Sequence, residues 1–120
     1  MKKFDLEDRM VAYAARIIKT TDMLPSTFAA SHLGRQLIRS GTSVALNYGE
    51  AQAAESRADF VHKLKVALKE LKESQICLRI LATQDYIPES TLNPIIRETD
   101  ELISILITSI KTAKRNQAST

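Results

Sequence analysis

Residues 36–81 read QLIRSGTSVALNYGEAQAAESRADFVHKLKVALKELKESQICLRIL, and the fold follows from their pattern. Phe60, Leu64, Ala67, Leu71, Ser74, Leu78 and Leu81 alternate steps of four and three, the period of a helix packed in a coiled coil or bundle. Val61, Val66, Leu68, Ile76 and Ile80 lie off that seam, so this helix is apolar over more than one face and is expected to be central. Upstream, Phe28, Leu33, Leu37, Val44 and Tyr48 mark one face of another helix, running from near Ser26 to about Ala53. Its middle, Ser40 to Ala45, is small-sided, and Gly and Thr there lower helix propensity. A helix that keeps such residues is expected to have another backbone passing close by. Between the two helices, Ser56 followed by Asp59 resembles a capping box, so the third helix starts at Ser56 or Arg57.

On the amino-terminal side, Leu6, Met10, Tyr13 and Ile17 step by four, three and four and predict a first helix over about Asp5 to Thr20. The segment TTDMLPS interrupts it: Pro25 disfavours helical geometry at Leu24, and Ser26 is the expected cap of the second helix. On the carboxyl-terminal side, ATQDYIPES ends the third helix, and Pro88 and Glu89 suit the start of a fourth. Leu92, Ile95, Thr99, Leu102, Leu106, Ile110 and Ala113 keep bundle spacing to its end, and residues 116–120 are expected to form a disordered tail. The predicted fold is all-α: one antiparallel up-down-up-down four-helix bundle over residues 1–120. Helices three and four carry more Val, Ile and Leu than one core stripe uses, counting Ile103, Ile105 and Ile107. The surplus predicts an interface with further copies of the chain.

The chemistry-bearing residues are sparse. His32 and His62 belong to no metal-ligand motif, Gly41 and Gly49 fit neither the P-loop nor the dinucleotide spacing, and no nucleophile stands beside a base. A catalytic role, a cofactor and a metal are therefore not expected. Cys77 has no CxxC partner and reads as a small half-buried apolar residue. No apolar run reaches bilayer length and MKKFDLEDRM lacks a signal-peptide core, so the expected location is the cytoplasm, with no membrane partner. Asn47 and Glu50 lie three residues apart near the end of helix two and are expected to bond the start of helix three around Ser56 and Arg57.

The net charge is only +3, but its distribution is uneven. No acid occurs between Asp22 and Glu50, a stretch that holds His32, Arg35 and Arg39. On helix three, Lys65, Lys69, Lys72 and Arg79 follow one another at intervals of four, three and seven, apart from the leucine seam. A solvated face is the ordinary meaning of such a stripe. It is also what phosphate contacts require, and these six basic residues are the candidate nucleic-acid contacts. With three Tyr, three Phe and no Trp, a platform for stacking single-stranded bases is not expected.

The run RSGTSVALNYGEAQAAESRADFVHKLKVALKELKES, the QDYIPES turn and the Ile/Leu-rich last helix resemble the 23S rRNA-intervening-sequence protein family. The most specific marks are Ser43, Asn47 and Glu50, then Ser56, Asp59 and Phe60, then Ala67, Leu68 and Glu73. One departure is visible: the family tends to carry Glu-Gly at the elbow, whereas here Gly49 precedes Glu50. The resemblance implies a bundle that assembles as a ring, commonly a pentamer with a central channel. It also implies a likeness to accessory proteins of diversity-generating retroelements, which bind nucleic acid and a reverse transcriptase. Five copies of a +3 chain carry +15, enough to make RNA or DNA a favoured partner. A protein partner captured by apolar helix faces is the alternative.

Overall fold

The computed structural model describes residues 5–119. Four helices follow in order: α1 (Leu6–Asp22), α2 (Phe28–Gln52), α3 (Arg57–Ala82) and α4 (Glu89–Ser119). Among the described residues there is no strand. Side chains fix the helix starts. Asp5 Oδ1 accepts from Asp8 N at 3.3 Å, Thr27 Oγ1 from Ala30 N at 3.2 Å and Ser56 Oγ from Asp59 N at 3.0 Å. The cap of α2 is thus Thr27, one residue beyond the expected Ser26, because the extended backbone needed of a cap falls at Thr27. At the other end, α4 continues past residue 115 to Ser119, since nothing in Asn116, Gln117 and Ala118 breaks a helix already propagated for seven turns. The expected tail over 116–120 falls in these last residues, of which Thr120 lies outside the described residues.

Contacts between helices establish the up-down-up-down arrangement. Ile17 lies on Gly41 while the earlier Glu7 reaches the later Gly49, so α1 and α2 run antiparallel. Arg39 pairs with Glu70 and Glu73 while Glu50 pairs with Lys63, which makes α2 and α3 antiparallel as well. Gln75 donates to Asp100 while Lys65 lies beside Lys114, the same relation for α3 and α4. Finally α4 returns to α1 through Arg9, which is held by Glu98 and Glu101.

The face of α2 turned to α1 carries all three glycines of the chain, Gly34, Gly41 and Gly49, spaced by seven and eight. A Cβ at Gly41 would lie 2.8 Å from Ile17 Cγ1, and one at Gly34 would lie 3.2 Å from Leu24 Cδ1. The small-sided run in α2 is therefore a groove into which α1 presses its isoleucine. Leu37, Leu64, Leu71, Leu78, Leu102 and Leu106 fill the core below it.

One residue from each helix forms a buried polar layer: Tyr13, Ser40, Ser74 and Thr99. Tyr13 and Thr99 bond at 2.8 Å and Ser40 and Ser74 at 2.8 Å, and the Ser74 hydroxyl donates to Glu70 O at 3.0 Å. Buried hydroxyls are costly unless paired, so this layer admits one register of the four helices and penalises others. No buried side-chain polar atom among the described residues lacks a partner.

Two expectations about apolar residues are corrected. Phe28, read as part of the buried face of α2, is 90% exposed, because the core-facing line of α2 begins at Ala30 and continues through Gly34 and Leu37. The surplus aliphatics of α4 are sheltered by its own bundle: Ile103 is buried, and Ile105 and Ile107 are half-buried. On α3 the surplus is exposed at Ile76 and Ile80, and exposed aliphatics lie also on α1 (Val11, Ile18) and on α2 (Ile38, Leu46).

Candidate nucleic-acid interface

The two signs of charge on α3 are sorted to opposite flanks. Glu70 and Glu73 turn towards α2, where both meet the Arg39 guanidinium, Glu70 at 3.2 Å from its Nη1. Lys65, Lys69, Lys72 and Arg79 are exposed. Lys72 is one turn from Gln75, which reaches α4, and two turns from Lys65, which lies against Lys114 of α4. The lysine stripe therefore borders the α3–α4 edge, and the carboxylates that interleave with it in sequence serve the other side of the helix.

At that edge the Lys65 and Lys114 ammonium groups are neighbours. Lys114 disfavours the charge of Lys65 and holds it below the usual lysine range. Lys111, one turn before Lys114, is exposed as well. An anion placed here would relieve a repulsion already present in the fold. Lys114 is the contribution that reading the sequence missed. It stands far from Lys65 along the chain, and only the antiparallel register of α3 and α4 brings them together. The acid-free composition of the last ten residues was the available signal.

The remaining candidates divide. Arg35 is exposed on α2. Arg39 is half-exposed but committed to two carboxylates, so the structure does not group it with the lysines. Asn47 and Glu50 do not bond Ser56 and Arg57, which corrects the expectation for the elbow. The Asn47 amide donates to Ser43 O at 2.8 Å, one turn back, and Glu50 pairs with Lys63 at 2.7 Å, raising the affinity of that lysine for its proton. Ser43 in turn donates to Arg39 O at 2.6 Å. The geometric reason is that α2 runs to Gln52, so both side chains leave the helix before the elbow and find partners on α2 itself and on the second turn of α3. At the elbow, Ser56 caps α3 and Asp59 sits in its first turn.

Nothing in the arrangement assembles a nucleophile with a base. Both histidines are exposed, and no cluster of three metal-ligating side chains occurs among the described residues. Cys77 is buried with its thiol donating to Leu33 O at 3.4 Å, and burial raises its pKa above the usual thiol value. No helix among the described residues is long and apolar enough to cross a membrane.

Comparison with known proteins agrees with this architecture. A crystal structure from Bacteroides thetaiotaomicron, described as a protein of unknown function from the S23 ribosomal protein family, is similar at 34% identity and a TM-score of 0.83. The similarity covers 89% of this chain and 99% of that one. No curated protein matches the sequence. The model of the 23S rRNA-intervening sequence protein family matches residues 2–108, and it is to this family that the chain, with its four antiparallel helices, belongs.

Proposed function

We propose that this protein is a non-enzymatic, ring-forming helical bundle that binds structured RNA or DNA through the lysines of the α3–α4 edge, as an accessory to another protein. The observation that carries the reading is the juxtaposition of Lys65 and Lys114 across the α3–α4 edge, while Glu70 and Glu73 face α2 and Asp100 lies further along the edge beside Gln75. Lys69 and Lys72 extend the site along α3, Lys111 along α4, and Arg79 lies further towards the end of α3. Along α3, Lys65 to Lys72 spans about 10 Å at a rise of ~1.5 Å per residue, a length that meets several successive phosphates of one strand. Repetition around a ring multiplies these contacts. The similarity to a structure assigned to a ribosomal protein family is consistent with an RNA partner.

A filter-binding series of structured RNA against rising salt tests the reading. The logarithm of the affinity should fall linearly with the logarithm of salt concentration. Changing Lys65, Lys69, Lys72 and Lys114 together to Gln should flatten that slope by roughly 3. Arg39→Gln should change it little. Binding that ignores salt, or a quadruple variant that binds as wild type does, overturns the proposal.

The exposed aliphatics of α1 and α2 favour a second reading, an adaptor oligomer that captures a protein. Recovery of a partner that survives nuclease treatment, with no salt-dependent RNA binding, selects it.

A further inference from the structure

Phe28 is an aromatic side chain left in water at the start of a rigid helix, 90% exposed, while Tyr13 is buried and Tyr48, Phe60 and Tyr86 are half-buried. Its position does not serve the fold. Ala30, two residues on, begins the buried line of α2, and the cap of the helix is made by Thr27. One and two turns beyond Phe28 on α2 stand His32 and Arg35, both exposed. Beyond Phe28 the exposed face of α2 carries an imidazole and a guanidinium before its next large exposed aliphatic, Ile38. From residue 23 to residue 49 the chain contains no carboxylate. Asp22 lines a shallow groove together with Arg35 and Ile38.

We infer that Phe28, His32 and Arg35 form a stacking subsite for an unpaired base of the bound nucleic acid, the phenyl ring receiving the base and Arg35 the phosphate of a neighbouring nucleotide. The inference rests on the nucleic-acid reading above and names a further component of the ligand, a single-stranded segment adjoining the duplex held by the lysines. An aromatic face accepts any base, and the Arg35 guanidinium two turns away follows the backbone, so the subsite is indifferent to sequence. Stacking does not read the 2′-hydroxyl either, so RNA and DNA are both ligands of this subsite. The charge of this stretch supports the occupant, because a segment that carries Arg35 and no carboxylate of its own attracts a phosphodiester while the ring gains from a partner with a π-face.

The test compares a labelled RNA hairpin with an unpaired loop, the same hairpin in DNA and a fully paired RNA duplex. Phe28→Ala should weaken both hairpins about 5- to 100-fold, the range that loss of one stacked base gives, and leave the duplex unchanged. Phe28→Trp should restore hairpin binding and show indole emission quenched on addition of the hairpin. Arg35→Gln should weaken the hairpins and lessen their salt dependence. Because Phe28 lies outside the core, the thermal midpoint of Phe28→Ala should match wild type. If Phe28→Ala binds hairpin and duplex as wild type does, the subsite is wrong and the lysine edge is untouched. If the wild-type protein binds neither, both readings fall. A Phe28→Ala protein with a smaller sedimenting mass would make Phe28 a contact between copies. One that loses a nuclease-resistant protein partner would make it a protein site. Either result overturns the inference.

Discussion

The phenol of Tyr13 on α1 donates to Thr99 Oγ1 on α4 across 2.8 Å in the middle of the core. The direction follows from the partner, whose own proton is used at 2.7 Å by Ile95 O of the preceding turn. With the Arg9 ion pairs, this bond ties the first helix to the last, closing the bundle where the chain itself supplies no connection.

Tyr13→Phe should therefore cost about 1 kcal/mol at neutral pH, read as a lower denaturant midpoint. Its second effect is on alkaline stability. Burial pushes the phenol up to about 12, against about 10 for a free tyrosine. A raised folded pKa means that stability is full below about pH 10 and declines as pH rises towards 12, by on the order of 2–3 kcal/mol. Tyr48 is also raised, by burial and then by Glu7 and Asp5, so part of the alkaline loss persists in the variant. The difference between the two pH curves belongs to Tyr13, and parallel curves would show that its phenol ionises as freely in the fold as in the unfolded chain.

Gly41→Ala opposes two effects of known size. Alanine is favoured over glycine inside a helix by about 1 kcal/mol, but here its Cβ would meet Ile17 Cγ1 at 2.8 Å and Cγ2 at 2.9 Å. Overpacking costs about 1–3 kcal/mol, so the substitution should destabilise. Introduced into an Ile17→Ala protein, where both γ carbons are gone, the same change should become neutral or stabilising. A double-mutant cycle of thermal or denaturant midpoints measures this. Additive effects would mean that α1 does not rest on Gly41.

Helix boundaries were legible because Pro25, Ser56 and Pro88 punctuate patterns with a clear period, and the small run from Ser40 to Ala45 correctly announced a close approach. What approaches could not be read, since Ile17 is one of several apolar residues of α1 and only the docked pair selects it. The same limit applies to the basic site. The spacing of Lys65, Lys69 and Lys72 placed them on one stripe, but the partners at its edges depend on the rotation and register of neighbouring helices. That is why Lys114 was not foreseen and why Arg39, to all appearance a free cation in sequence, is bound to Glu70 and Glu73. Phe28 was misassigned for a related reason: three residues of the core line of α2 are Ala, Gly and Gly, which a search for large apolar residues passes over.

Arg9 grips Glu98 with two hydrogen bonds, Nε to Oε2 and Nη2 to Oε1, both 2.8 Å, and reaches Glu101 at 2.9 Å. The guanidinium holds the Glu98 carboxyl below the usual carboxylate range. A depressed folded pKa stabilises above the unfolded value, about 4.3, and that contribution is lost as pH falls through the lower folded value. Arg9→Met should cost about 1–2 kcal/mol at pH 7, between the values for exposed and buried pairs, and progressively less as the pH is taken below about 4. Unfolding curves at pH 7 and pH 3 check this, and an equal deficit at both would assign the loss to packing of the arginine stem.

If the proposed ring forms, its contacts should be sought on α1 and α2. Val11 and Ile18 are two turns apart on α1, Ile38 and Leu46 are eight residues apart on α2, and all four are exposed. The antiparallel register that sets Ile17 on Gly41 and Glu7 near Gly49 brings the levels of Ile18 and Ile38 together, and likewise those of Val11 and Leu46. The result is one apolar band across two helices, on the side of the bundle away from the lysine edge of α3 and α4. Assembly through this band would leave the lysines of the α3–α4 edge of every copy free to act together. Ile18→Glu and Leu46→Glu should each yield a monomer in sedimentation equilibrium with unchanged helical content, because neither side chain belongs to the core. Loss of assembly should also weaken RNA binding, since one copy carries only +3. A wild-type protein that sediments as a folded monomer would remove the ring, and variants that still assemble would move its contacts to Ile76 and Ile80 of α3.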